Sequence, residues 1–499
     1  MGLNSLIILN TFTVVAAFVV VYSYVVRRYN ILLISCSSLL YFLTLFDRTY
    51  IRPEIFSYFF LAATVALLYR FREKFTKSIF LLIPIHLIWV NMHIYFITGI
   101  FLITLFLFEA LISFRSKYNG KYILTLLVVF IASITVTFIN PYGLSGVLFP
   151  LTFYNNYGFP INENLNFFTI AALLQNKFIY SYFAFEVVGI MLIVFLFLNL
   201  QKSRLIDWLI SSLFMAFAIS SVRNMPLFVF ATYIPFIHVV SLTSKKFHTL
   251  VQKYKSQQLN YQNILSVFII LLIIGLILNY SSIQGFGFGS DKRGENAVNF
   301  LISNNIKGPI FNNYDIGSYL AYRLYPKELV FVDGRPEAYP YSFYNTIYLP
   351  MQKDEKIFKE IDNRYLFNTV FINYPDQQSA TITFLRSIIA NNDWVPVYLD
   401  EYIVIFIKNN DANKETIQRY QISPSTYQIP NEASVPSIGT IGNLLSGIGW
   451  KQQAIEAYEK VLSIEPSNCE ALNNLLLLLD ANNPQVSIYQ MKYQFSCKR

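Results

Sequence analysis

The sequence predicts a polytopic α-helical membrane domain of about ten spans, followed by an external α/β domain and a short helical tail. Three observations predict it. Hydrophobic residues make up 55% of the 499, aromatic ones 17% and charged ones only 13%, for a mean hydropathy of +0.44. Within residues 1–283 the charges collect between long apolar runs. From about residue 290 the apolar runs shorten to strand length and alternate with amphipathic stretches. Such a chain buries apolar surface in lipid as well as in itself.

Apolar segments near spanning length fall at 5–26, 31–47, 54–71, 78–92, 95–114, 122–139, 179–200, 205–222, 224–243 and 263–281. The first lacks a basic segment before it and carries Arg27 and Arg28 after it, so it reads as a span rather than a cleaved signal. Basic clusters occupy every second connection: Arg27/Arg28, Arg70/Arg72/Lys74/Lys77, Arg115/Lys117/Lys121, Lys202/Arg204 and Lys245/Lys246/Lys253/Lys255. Lys and Arg favour the cytoplasmic side, which places the connections at 47–53, 91–95, 140–178 and 222–224, and everything beyond 281, outside. The net charge of +9 is accounted for in this way, and a nucleic-acid partner is not implied.

That bookkeeping brings Arg48, Arg52, Glu54, Asn91, His93, Asn140, Tyr142, Arg223 and Asn224 to one outer face. Polar groups gathered from separate connections at a membrane interface suit a binding site. Taken singly, each also fits as a helix-end group that snorkels or caps. The same count puts the amino terminus outside, with only Met1–Ser5 before the first span, and leads to the expectation of a further helix upstream.

In the external region, 308–313, 329–334, 368–373 and 395–400 read as strands, and 294–304, 315–323, 354–364 and 379–391 as helices. The result is a layered α/β domain over 290–408, without a glycine-rich phosphate loop. Asp333 and Arg335 follow the expected second strand, where such domains place ligand groups; an Asp-Gly turn with its own ion pair is the alternative. Residues 409–435, polar and proline-containing, read as a linker. Over 436–499 a helical hairpin follows, with Ile438, Ile441, Gly442 and Leu445 on one stripe, Ala454, Tyr458 and Val461 on the other, and Pro466 ending it. The small residues at 442 and 454 match a tetratricopeptide repeat, and residues 436–484 offer a surface for a protein partner. Cys36 lies in an apolar segment; the spacing of Cys469 and Cys497 does not decide whether they pair.

The stretches "RPEIFSYFFLA" (52–62), "LIWVNMHIYFITGIFL" (87–102), "NPYG" (140–143), "VRNMPLF" (222–228) and "GSYLAYRLYP…VFVDGR" resemble a group of bacterial polytopic membrane proteins similar to the GT-C glycosyltransferases. The resemblance covers about residues 1–400. It implies an inverting transfer of a sugar from a polyprenyl-phosphate donor at the external face of the inner membrane, with the carboxy-terminal domains external. It implies no resident cofactor beyond that donor and is compatible with a divalent metal. Arg52 or Arg223 would hold the phosphate, and His93 and Asn91 would bind donor or acceptor. The family's catalytic acid follows its first helix, a position this chain lacks; Asp47 and Glu54 are the acids near the outer face in the first half of the membrane region, weak candidates of which neither matches that position. Two other classes stay open: a noncatalytic scaffold in envelope polysaccharide or glycoconjugate assembly, and a transporter.

Overall fold

A computed structural model describes residues 3–48, 51–113, 118–152, 158–159, 161–173, 179–252, 293–375, 379–430, 433–480 and 482–497, less the side chains of residues 3, 47, 246–252 and 379. The chain divides into two compact units, Met1–Asn155 with Pro160–Ser290 and Asn156–Phe159 with Asp291–Arg499.

The first unit is helical: α1 (Leu3–Val25), α2 (Ile31–Leu45), α3 (Glu54–Glu73), α4 (Leu82–Val90), α5 (Phe96–Ile112), α6 (Gly120–Thr137), α7 (Gly143–Thr152), α8 (Phe167–Leu173), α9 (Tyr180–Leu198), α10 (Leu205–Ser220) and α11 (Met225–Gln252). Five described helices are long and apolar enough to cross a membrane: Asn4–Val25, Glu54–Glu73, Gly120–Thr137, Tyr180–Leu198 and Val222–Lys245. This corrects the expectation of ten. The stretches at 31–47, 78–92, 95–114 and 205–222 fold as the shorter α2, α4, α5 and α10, and 263–281 lies outside the described residues. Hydropathy counts apolar residues whether or not they stay helical. Phe46–Arg48 winds into a 3₁₀ turn after α2, and Lys77–Leu81 does so before the nine residues of α4. The 15 residues of α2 rise about 22 Å, short of a hydrocarbon layer of about 30 Å.

Burial sorts these helices into a centre and a rim. The apolar window of Val222–Lys245 is 94% buried and that of Glu54–Glu73 78%, whereas those of Asn4–Val25 and Gly120–Thr137 are each 28% buried. The centre is α3 packed on α11, with α1 and α5 also against α3, and α2, α9 and α10 also against α11. Rim helices turn Phe12, Val15, Val19, Leu124, Ile131, Ile190 and Phe197 outward. A continuous apolar exterior of this kind is stable in lipid and not in water. Three tyrosines buried at the centre each bond through the hydroxyl: Tyr41 to Thr232 Oγ1 at 3.0 Å, Tyr58 to Glu54 Oε1 at 3.2 Å and Tyr69 to Asp207 Oδ1 at 2.7 Å. A buried phenol left unbonded would cost stability, so the Tyr41 and Tyr69 bonds fix which helices are neighbours, while that of Tyr58 lies within α3.

In the second unit a four-stranded sheet has the order β1 (Ile310–Asn312), β2 (Thr369–Asn373), β4 (Ile403–Lys408), β3 (Trp394–Leu399). β1 and β2 are parallel, and the other two pairings are antiparallel. The four helices expected here form at Glu295–Ser303, Tyr314–Leu324, Glu355–Tyr365 and Ser379–Ile389. Two strand expectations need correction: 329–334 makes only an isolated bridge, Val330 to Ile310, and Ile403–Lys408 is a strand that was not anticipated. Asn312 explains the first. Its side chain donates to Val332 O at 2.7 Å and accepts from Phe331 N at 2.9 Å, taking the backbone groups a neighbouring strand would have used. Gly317, on the helix Tyr314–Leu324, lets that segment approach: a Cβ there would stand 1.9 Å from Val332 O.

The tail packs within the same unit. Val435–Gly447 and Lys451–Ile464 form the hairpin, with Ile438, Ile441, Leu445, Ala454, Tyr458 and Val461 all buried as the stripes predict. A Cβ on Gly442 would meet Tyr458 Cε1 at 2.9 Å, which is why a small residue sits there. Arg386 donates twice to Gly447 O, at 2.9 and 2.7 Å. Residues 409–435 are more than a linker: Lys414–Tyr420 is helical and Ile422 N donates to Pro396 O at 2.9 Å. Cys469 and Cys497 are joined in a disulfide, between the helices Cys469–Leu478 and Val486–Cys497. Gly317→Ala should destabilise the second unit by about 1–3 kcal/mol, the range for overpacked sites, and lower its thermal unfolding midpoint. An unchanged midpoint would mean that the Val332 segment moves aside freely.

Candidate functional site

The polar residues of the first unit meet where α3 and α11 begin. Glu54 opens α3 and is only 5% exposed. Arg223, in the 3₁₀ turn Val222–Asn224 before α11, donates from Nε and reaches with Nη2 to Glu54 Oε2, both at 3.0 Å. Tyr58 donates to Oε1, so both carboxylate oxygens are engaged. A buried carboxylate is tolerated under these conditions, and the positive end of α3 helps.

Two residues earlier, Arg52 pairs with Glu163, which lies in the 3₁₀ turn Asn162–Asn164. That turn is stitched to the stretch preceding Arg223: Ser221 Oγ donates to Glu163 O at 3.0 Å and Val222 N to Leu165 O at 3.1 Å. Glu163 and Glu54 both act electrostatically on Arg52, so the two ion pairs are one set of alternating charges. Three chain segments far apart in sequence build it.

His93 joins this set from the turn between α4 and α5. Ser57 Oγ accepts from Trp89 Nε1 at 2.8 Å and lies 3.0 Å from His93 Nδ1; Tyr95 N is 3.4 Å from the same nitrogen. Two donors aimed at Nδ1 make it the acceptor, which leaves the ring proton on Nε2. Burial, with the charge of Arg223 adding, pushes the imidazole down to about 3. His93 is therefore a neutral hydrogen-bond donor at physiological pH and not a base. Tyr95 donates to Asn224 Oδ1 at 3.0 Å, and Asn224 Nδ2 to Phe217 O at 3.1 Å, which holds this turn to the α10–α11 connection. Arg48 bonds the Tyr182 hydroxyl and lies over its ring at 5.5 Å, while its Nε is buried without a hydrogen-bond partner among the described residues.

Other expected residues serve the backbone. Asn91 Nδ2 donates to Leu87 O and Ile139 O at 2.8 and 2.9 Å, joining the end of α4 to the end of α6. Asn140 donates to Thr137 O and Gly143 O and accepts from Tyr142 N, shaping the turn into α7. The ring of Tyr142 is 79% exposed. Asp47 lies in the turn Phe46–Arg48, and its side chain is outside the described residues. In the second unit Asp333 accepts from Arg335 N at 3.1 Å and pairs with its guanidinium at 2.6 Å, while Gly334 N bonds Ser318 Oγ. This is the turn-and-pair geometry, with Asp333 buried and Arg335 turned outward.

Neither the known protein families nor the curated proteins contain a match to this chain.

Sequence reading missed Glu163, Ser57, Trp89 and Tyr95. For Glu163 a signal existed: it is the one acid in the connection 140–178. It also missed a second charged network at the far end of α3. There Arg72 and Glu109 pair twice at 2.8 Å, both nearly buried, Glu73 takes Arg28 and the Tyr24 hydroxyl, and Asp207 takes Tyr69 and His238 at 2.7 Å. Among the described residues no group of three or more His, Cys, Asp or Glu could hold a metal ion.

Two outcomes follow from this geometry. Below pH 6.5 an unfolded His93 takes a proton that the folded site refuses, so folding loses about 1.4 kcal/mol per pH unit from about 6.5 down to about 3. Melting temperatures in detergent at pH 7.5, 6 and 5 should fall less steeply for His93→Gln than for the wild type, and equal slopes would refute the buried neutral imidazole. Glu54→Gln should cost about 3–5 kcal/mol by stranding Arg223, and Glu54→Gln with Arg223→Met should recover most of it.

Proposed function

We propose that this protein is a membrane glycosyltransferase-like enzyme, taking a sugar from a polyprenyl-phosphate donor at the polar end of its helical unit. The observation that carries this reading is the set Arg48, Arg52, Glu54, Glu163, His93 and Arg223 gathered at one end of the helical bundle. The three arginines of this set are suited to a phosphate. Arg52 is 39% exposed, which leaves it within reach of a ligand. Displacement at an anomeric carbon needs cationic groups on the departing phosphate and a donor such as His93 Nε2 toward its oxygens.

The apolar half of such a substrate also finds a counterpart. From Tyr122 to Asn162 the chain carries no charge, and α7 exposes Leu144, Leu148 and Leu151 with none of its residues buried. Ten residues rise about 15 Å, too short to cross, so α7 suits the interface, beside an isoprenoid chain. The Cys469–Cys497 disulfide favours an oxidising compartment for the tail and hence the external side of a bacterial inner membrane. One observation favours a scaffold instead: the terminal helices, which resemble a tetratricopeptide unit, leave Leu477, Met491 and Phe495 exposed for a partner.

Purified protein in nanodiscs should bind polyprenyl phosphate, and Arg52→Ala should weaken binding by about tenfold, the loss of one charge-assisted contact. Absence of binding in the wild type, with a partner captured through the tail, would replace the enzyme with the scaffold.

A further inference from the structure

The reading above leaves the base for the acceptor unassigned, and we propose, resting on that reading, that Glu163 is the carboxylate that takes the proton of the acceptor hydroxyl. Two described carboxylates belong to the charged set. Glu54 is sealed: its side chain is 6% exposed, Oε1 accepts from Tyr58 and Oε2 from Arg223. Glu163 is different. Its side chain is 19% exposed, and Arg52 meets Oε2 while Oε1 accepts no hydrogen bond among the described residues. One oxygen thus anchors the group and the other is available to a hydroxyl.

The turn that carries Glu163 is held well enough to aim it. Its main chain is fixed by Ser221 Oγ and by Val222 N on Leu165 O, and Asn164 N closes on Ile161 O at 3.0 Å. Rigid support of this kind is what a reacting carboxylate requires.

In the step assigned here the acceptor oxygen attacks the anomeric carbon as its proton passes to Glu163 Oε1. The new bond is acceptor oxygen to carbon; the bond that breaks joins that carbon to the phosphate oxygen. The electron pair leaves with polyprenyl phosphate, which departs as an anion from the opposite face of the sugar, and Glu163 ends protonated. Attack opposite the leaving group inverts the anomeric centre, in agreement with a single carboxylate and no covalent intermediate.

The test uses the full chain in nanodiscs, with polyprenyl phosphate as the binding probe and a panel of radiolabelled polyprenyl-phosphate hexoses and pentoses as turnover probes, water serving as acceptor. Glu163→Gln should lower turnover at least about 100-fold while binding polyprenyl phosphate at least as tightly as wild type, since Arg52 loses its competing carboxylate. Glu163→Ala should regain part of its turnover when formate is added, a response that a merely structural role would not produce. Turnover within about fivefold of wild type in Glu163→Gln would overturn the assignment and leave the enzyme reading standing. A wild type that binds polyprenyl phosphate but releases sugar from no probe would also overturn it, leaving lipid binding alone. A wild type that does neither would overturn the reading on which it rests.

Discussion

A charge placed among apolar helices must find its opposite within the protein, because lipid offers neither water nor counterion. The Glu54–Arg223 pair answers that requirement at one end of the two central helices. It joins α3 to α11, the two helices most enclosed by the rest. Around it the other polar groups fall into order: Tyr58 takes the remaining oxygen, Arg52 reaches Glu163, and His93, beside Arg223, is kept neutral and accepts from Tyr95 N. Polar chemistry at this end is a consequence of pairing before it is a matter of binding.

The second unit solves a different problem. Its sheet is short on the β1 side, and the segment after Val330 would leave backbone groups unmet if it merely lay nearby. Asn312 supplies an amide that imitates a strand, and Gly317 clears the space for it. Asp333 then turns the chain at once. An Asn, a Gly and an Asp thus perform work that a row of valines would do elsewhere.

These contrasts explain what could be read in the sequence. Amphipathic helices such as Glu355–Tyr365, and the stripes of the tail hairpin, were legible because a single period decides which face is buried. The short helices α2 and α4 were not, since hydropathy cannot see a 3₁₀ turn. The strand Ile403–Lys408 escaped because only pairing with β2 and β3 defines it. At the site, Arg52, His93 and Arg223 were legible as polar exceptions in apolar surroundings. Glu163 was passed over because its meaning depends on Ser221 and Val222, nearly sixty residues on.

The distance along the chain between Glu54 and Arg223, 169 residues, has a consequence for biogenesis. When α3 first leaves the ribosome its carboxylate lacks Arg223, and it acquires that partner only after the start of α11 has been made. At the translation speeds typical of cells that wait lasts about ten to thirty seconds. Throughout it the opening of α3 is best kept in the insertion machinery or at the water interface, and release into lipid becomes favourable once α11 arrives. The polar end is therefore also a checkpoint in membrane insertion, completed by α11, the last of the described helices in the first unit.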